Sequence, residues 1–153
     1  MNKNFNIEGA VLAGAESRRF GMPKARARVN GTTMAECSVK TAARFCSRVM
    51  VITHLDAGLM PEEAAVYPDK KKGFGPLGGI YTALSHARTL YVAIIPCDMP
   101  LLTSEVYEIM IPFLSEEKPV AAVSHNGTEP LVSIWPVTLM REVEQEIISG
   151  TSS

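Results

Sequence analysis

The fold class depends most on one stretch of sequence, Tyr91–Asp98, which is YVAIIPCD. Its first five residues are apolar without interruption, which is typical of a central strand in a parallel sheet whose two faces are both covered. The apolar run ends at Pro96, and the charged Asp98 follows two residues later. In open α/β sheets ligands bind beyond the carboxyl ends of the strands, so Asp98 is a candidate site residue.

Strands and helices alternate on both sides of this stretch. The patterns predict further strands over residues 7–12, 49–52, 64–67 and 120–123, and helices over 33–45, 76–86 and 103–114. Residues 125–128 are expected to form a hairpin turn into a strand over 131–135, and Pro136 to open a final helix. The alternation predicts one α/β domain over 1–153, a three-layer sandwich with a mostly parallel sheet and an antiparallel edge hairpin.

Composition excludes several classes of protein. The 153 residues are 46% apolar and 20% charged with a net charge of −1, which does not favour nucleic-acid binding. The longest apolar runs are far shorter than the roughly 20 residues of a membrane helix, and the N-terminus has no signal-peptide pattern. Three cysteines without CxxC spacing argue against a disulfide framework or a zinc site. We therefore expect a cytoplasmic protein that binds neither membrane nor nucleic acid.

The loop after the first predicted strand has features of a phosphate site. Residues 12–24, LAGAESRRFGMPK, combine two glycines with Arg18, Arg19 and Lys24. Glycine turns expose backbone N–H groups, Arg donates forked hydrogen bonds and Lys adds a point charge. A Walker A loop is disfavoured because Met22–Pro23 separates Gly21 from Lys24, and GxGxxG is absent. A solvated basic loop is the alternative that residue types leave open.

Two other segments could contribute to the same site. Asp98 suits Mg²⁺, which binds one or two protein carboxylates, although it could instead end a strand or cap a helix. Asp69 precedes Gly73–Ile80, GFGPLGGI, whose glycines suggest either close backbone approach to a ligand or a tight connection. The lysines at 70–72 form a second basic cluster that a small anionic ligand would explain.

Together the three segments resemble the molybdenum cofactor guanylyltransferases of the nucleotidyltransferase superfamily. Residues 12–24 match the signature Leu-Ala-Gly-Gly-x-Ser-x-Arg-Met-Gly-x-x-Lys except at Ala15 and Phe20. Residues 75–79 match Gly-Pro-Leu-x-Gly, and 97–100 match Cys-Asp-x-Pro. The chain ends at Ser153, before the C-terminal helix and Asn-x-Asn segment expected in that family. The resemblance extends over about nine tenths of the chain and implies a Rossmann-like nucleotidyltransferase fold.

The resemblance also implies roles for individual residues. Arg19 and Lys24 would hold a triphosphate and act in catalysis together with Asp98, which would ligate Mg²⁺. The implied nucleotide-binding residues are Leu12, Ala13, Gly14, Lys24, His54, Asp69 and Asp98.

The implied reaction transfers GMP from GTP to molybdopterin and releases pyrophosphate. Transient contacts with other cofactor-biosynthesis or acceptor proteins would accompany it. One alternative is a cytidylyltransferase acting on molybdopterin or on a sugar or polyol phosphate. Another is a nucleotide-binding domain with impaired catalysis, because Ala15 replaces a signature glycine and the chain is short.

Overall fold

A six-stranded sheet forms the centre of the structure, a computed structural model that describes residues 7–14, 16–17 and 22–150. The strands are β1 (Ile7–Leu12), β2 (Val49–Ile52), β3 (Ala65–Tyr67), β4 (Tyr91–Pro96), β5 (Val120–Ser124) and β6 (Gly127–Pro136). Their spatial order is β3-β2-β1-β4-β6-β5. The first four are parallel, whereas β6 is antiparallel to both β4 and β5.

Register places the ends of the four parallel strands at one edge. Leu12 of β1 is aligned with Ile52 of β2 on one side and with Pro96 of β4 on the other, and Ile52 is aligned with Tyr67 of β3. The loops that follow these strands therefore begin next to one another, at the edge where ligands bind in open α/β sheets.

Helices cover both faces of the sheet. They are α1 (Met34–Ala43), α2 (Gly75–His86), α3 (Ser104–Met110) and α4 (Met140–Ser149). One apolar cluster joins α1 and α3 to the sheet, and the other joins α2 and α4 to its opposite face. Strand β4 supplies Ala93 and Ile95 to the first cluster and Val92 and Ile94 to the second. Burial on both faces accounts for its uninterrupted apolar run.

The predicted fold class, a three-layer α/β sandwich with a mostly parallel sheet, is confirmed. Helix α1 begins where its capping signal predicts, since the Thr33 side chain accepts a hydrogen bond from the Glu36 amide. The predicted helix over 103–114 is shorter, because α3 ends at Met110 and a 3-10 turn over Ile111–Phe113 follows. Pro112 has no N–H with which to continue the helix.

The prediction that Pro136 opens the last helix is wrong. Pro136 is buried at the end of β6, aligned with Tyr91, and the Val137 amide donates to the Leu90 carbonyl. A proline is tolerated there because a strand end requires no N–H from it. A 3-10 turn over Val137–Leu139 then leads into α4. The hairpin is confirmed, but of its two strands β6 lies inside the sheet and β5 forms an edge.

Candidate functional site

A cavity of about 670 Å³ opens at the carboxyl edge of the parallel strands. Its walls come from the loops after β1, β2, β3 and β4, from the start of α2 and from β6. The lining residues are Leu12, Ala13, Gly14, Ile52, Thr53, His54, Asp69, Lys72, Gly73, Gly75, Pro76, Gly79, Pro96, Cys97, Asp98 and Leu131.

The first wall is the segment Leu12–Gly14, which is tied to the end of β2. The Ala13 amide donates to the Ile52 carbonyl at 2.9 Å, and the Thr53 hydroxyl donates to the Ala13 carbonyl at 3.0 Å. Ala13 is buried, whereas Gly14 is exposed and lies beside His54. The segment can thus present exposed backbone to a ligand while its base is held in place.

Asp69 organises the loop that forms the second wall. Its Oδ1 atom accepts hydrogen bonds from the Lys71 amide at 2.9 Å and from the Thr82 hydroxyl at 3.1 Å. The Lys70 amide donates in turn to Thr82 Oγ1 at 2.9 Å. Because Thr82 belongs to α2, these bonds hold the loop after β3 against the first turns of that helix.

Gly78 permits this close approach of loop and helix. A Cβ atom at Gly78 would clash with the Lys71 carbonyl oxygen and would meet both carboxylate oxygens of Asp69 at 3.3 and 3.4 Å. Backbone atoms cannot move aside as a flexible side chain can, so glycine is required here. For the glycines of residues 73–80 the sequence left open either close approach to a ligand or a tight connection. Gly78 serves the tight connection between loop and helix.

We predict that Gly78→Ala displaces the Asp69 loop from α2. Overpacking of this kind costs about 1–3 kcal/mol of unfolding free energy, and we expect nucleotide affinity to fall as well because the cavity wall moves. Chemical denaturation and nucleotide titration would measure both effects. Gly58→Ala is the control, since Gly58 lies in an exposed turn where a Cβ meets only the Asp56 carboxylate at 3.4 Å. Equal behaviour of the two variants would contradict the prediction.

The three lysines at 70–72 do not act as one basic cluster. Lys71 Nζ lies 5.4 Å from the centre of the Tyr81 ring, and the Tyr81 hydroxyl donates to Glu144 at 2.8 Å. That hydrogen bond raises the pKa of Tyr81. Among these lysines it is the exposed Lys72 that lines the cavity. A small anion in the cavity would therefore explain Lys72, and not the whole cluster.

Asp98 lies at the rim of the cavity, two residues beyond β4. Asp98 is exposed and lies in the turn at Cys97 and Asp98 that follows the strand. Thr103, rather than Asp98, is the N-cap residue of α3. The residues described here contain no cluster of three or more His, Cys, Asp or Glu side chains able to hold a metal. A site of one or two carboxylates is instead what Mg²⁺ commonly uses.

The cavity brings together most of the predicted site residues. Six of them line it together: Leu12, Ala13, Gly14, His54, Asp69 and Asp98. Arg19 lies outside the described residues. Ala15, which stands where the family signature has glycine, lies outside them too. Lys24 begins a 3-10 turn over Lys24–Arg26, and the position of its side chain is likewise outside the description.

Sequence reasoning did not identify Thr53 or Leu131 as site residues. Thr53 directly follows β2, so the rule that parallel strands end at one edge could have indicated it. Leu131 belongs to β6, and only the sheet order places β6 beside β4. No signal in the sequence alone could have placed it in the cavity.

The described residues also include no helix that is long and apolar enough to cross a membrane.

Known proteins resemble this chain over most of its length. "Probable molybdenum cofactor guanylyltransferase" of Geobacillus sp. (strain WCH70) is 31% identical over 95% of this chain and 76% of that protein. A protein of the same name from Halalkalibacterium halodurans is 31% identical over 83% of this chain and 68% of its own length. The crystal structure of molybdopterin-guanine dinucleotide biosynthesis protein A from Archaeoglobus fulgidus is similar with a TM-score of 0.76 and 25% identity, over 95% of this chain and 75% of that one.

Residues 9–151 match the MobA-like NTP transferase domain. The match includes every residue that lines the cavity and all four parallel strands, with β1 covered from Gly9 onward. The chain therefore belongs to the MobA-like NTP transferase domain family.

Proposed function

We propose that the protein is a molybdenum cofactor guanylyltransferase, which transfers GMP from GTP to molybdopterin and releases pyrophosphate. The observation that carries this proposal is that Leu12–Gly14, His54, Asp69 and Asp98 line one and the same cavity. These residues come from four separate loops. The resemblance to molybdenum cofactor guanylyltransferases implied a nucleotide-binding role for each of them. Relatives of the same name at about 31% identity support the same activity.

The reaction would proceed by in-line displacement at the α-phosphorus of GTP. An oxygen of the terminal phosphate of molybdopterin forms the new P–O bond, the bond from the α-phosphorus to the bridging oxygen breaks, and pyrophosphate leaves with that electron pair. The attacking phosphate is already ionised at neutral pH, so a general base is not required. Such transfers depend mainly on positioning and charge neutralisation.

Residues of this chain would supply both. The backbone of Leu12–Gly14 would contact the nucleotide, and Asp69 would contact the nucleoside through Oδ2, since Oδ1 already accepts hydrogen bonds from the Lys71 amide and the Thr82 hydroxyl. Arg19 and Lys24 would hold the triphosphate, as the resemblance implies, and Lys72 would add a third cation at the cavity.

Asp98 would hold Mg²⁺, which supplies neutralisation of the triphosphate charge when it is bound. An exposed carboxylate at the cavity rim fits this ion, which completes its shell with water and substrate phosphates. Dependence on Mg²⁺, a cytoplasmic location and transient contacts with cofactor-biosynthesis or acceptor proteins stay predictions.

We predict that GTP stabilises the protein more than CTP, ATP or UTP at equal concentration and equal Mg²⁺. A ligand at 100 times its Kd adds about 2.7 kcal/mol to the unfolding free energy. For a chain of this length that corresponds to a rise in Tm of about 5–10 °C. Thermal unfolding with each nucleotide would measure it.

Two results would contradict the proposal in different ways. A preference for CTP would favour the cytidylyltransferase alternative and leave the family assignment intact. Binding of GTP without pyrophosphate release, when molybdopterin and Mg²⁺ are present, would instead indicate a nucleotide-binding domain that lacks catalysis.

A further inference from the structure

We propose that two buried hydroxyl groups position the two halves of the reaction site, and this rests on the proposed function. The Thr53 hydroxyl fixes the nucleotide-binding segment after β1. The Ser38 hydroxyl fixes the Asp98 loop after β4. Thr53 and Ser38 are positioning residues, because each hydroxyl acts through the backbone carbonyl of a residue that comes directly before other residues of the site.

Thr53 connects three strand ends. Its side chain is 2% exposed, and Oγ1 donates to the Ala13 carbonyl at 3.0 Å while accepting from the Leu55 amide at 3.1 Å. Its own amide donates to the Tyr67 carbonyl at 2.9 Å. The hydroxyl thus links the loops that carry Gly14 and His54, and its single O–H donor is used within the protein.

Ser38 makes the corresponding link on the other side of the cavity. It lies in the middle of α1, is 3% exposed, and its Oγ donates to the Pro96 carbonyl at 3.2 Å. A serine within a helix often bonds to a carbonyl of its own helix four residues earlier. Ser38 bonds instead to the last residue of β4, 58 positions away, and so fixes the peptide group that leads into Cys97 and Asp98.

The two links act on different parts of the reaction. Ala13 and Gly14 would contact the nucleotide, whereas Asp98 would hold the metal. Loss of the Thr53 hydroxyl should therefore weaken nucleotide binding, and loss of the Ser38 hydroxyl should weaken the effect of Mg²⁺. Small displacements suffice for this, because a misplacement of about 1 Å can reduce a rate by roughly 10²-fold.

The test uses Thr53→Val and Ser38→Ala, which remove each hydroxyl with little change of volume. For Thr53→Val we expect the Kd and KM for GTP to rise about tenfold, with the half-saturating Mg²⁺ concentration unchanged. For Ser38→Ala we expect that Mg²⁺ concentration to rise about tenfold and kcat to fall, with metal-free GTP affinity unchanged. Thr53→Ser, which restores the hydroxyl, should recover the wild-type values.

Tyr107→Phe is the matched control. It also removes a buried hydroxyl that donates to a β4 carbonyl, that of Ile94 at 2.8 Å, but this carbonyl lies within the strand and away from the cavity. It should lower Tm without changing GTP affinity or Mg²⁺ dependence. The positioning roles would be refuted if Thr53→Val and Ser38→Ala, like Tyr107→Phe, lowered Tm without changing GTP affinity or Mg²⁺ dependence. They would also be refuted if both variants altered the same binding parameter.

The binding readouts separate this inference from the proposed function. If the wild-type protein bound GTP but released no pyrophosphate with molybdopterin, the proposed reaction would fail. The metal-free Kd for GTP and its change with Mg²⁺ would still decide the roles of Thr53 and Ser38. If the wild type bound no nucleotide at all, both proposals would be overturned.

Discussion

Replacing Asp98 with Asn should lower the rate of nucleotidyl transfer by about 10³-fold, because the side chain keeps its size but loses the charge that would hold Mg²⁺. Folding should survive, since Asp98 is exposed at the cavity rim rather than packed in the sheet. GTP binding without metal should be unchanged or slightly tighter, because repulsion between the carboxylate and the phosphates is removed. Titration of Mg²⁺ against activity and Tm would measure all three effects.

Glu105→Gln provides a control for this experiment. Glu105 is an exposed carboxylate in the first turn of α3, outside the cavity, and its replacement should leave the dependence on Mg²⁺ unchanged. If Asp98→Asn lowered Tm and left the Mg²⁺ dependence of the reaction intact, Asp98 would be a structural residue at a strand end. That result would remove the metal from the proposed mechanism.

Much of the fold could be predicted because its signals are local. The apolar run over Tyr91–Ile95 indicates a strand buried on both faces, and β4 contributes to both apolar clusters. The Thr33 and Glu36 pair marks the start of α1, since capping depends only on neighbouring residues. Parallel strands end at one edge, so residues following β1 and β4 could be expected in one cavity.

The remaining features depend on contacts between distant segments. The insertion of β6 between β4 and β5 decides that Leu131 lines the cavity, and sequence patterns do not specify strand order. The division of the lysines at 70–72 depends on Tyr81 of α2. Asp98 is exposed in the turn that follows β4, and the residue type alone does not specify that exposure. Periodicity and residue type contain none of this information.

Glu8 is the clearest case of such a contact. In the sequence Glu8 is one residue of a predicted buried strand, and in the structure its side chain is only 1% exposed. Its Oε2 atom accepts from Arg48 at 2.6 Å, and Oε1 accepts from the Arg88 amide and from the Thr89 hydroxyl. Arg48 also donates to the Tyr67 hydroxyl, so the network joins β1 to the start of β2 and to β3.

Glu8→Ala should therefore lower the unfolding free energy by about 1.5–3 kcal/mol, the contribution of hydrogen bonds to a charged group. Arg48, whose side chain is 23% exposed, would lose its charge partner, and the Arg88 amide would lose its acceptor. Glu8→Gln should cost less, because an amide oxygen can still accept from that backbone N–H. Equilibrium denaturation in urea would measure both variants.

Glu62→Ala is the control, because Glu62 is exposed and its removal should change the unfolding free energy by no more than about 0.5 kcal/mol. Glu8 does not line the cavity. At a temperature where every variant is folded, the Kd for GTP should therefore match that of the wild type. A stability loss for Glu8→Ala no larger than that for Glu62→Ala would show that the buried pair does not stabilise the fold. A change in GTP affinity without a change in stability would instead place Glu8 in the function of the site.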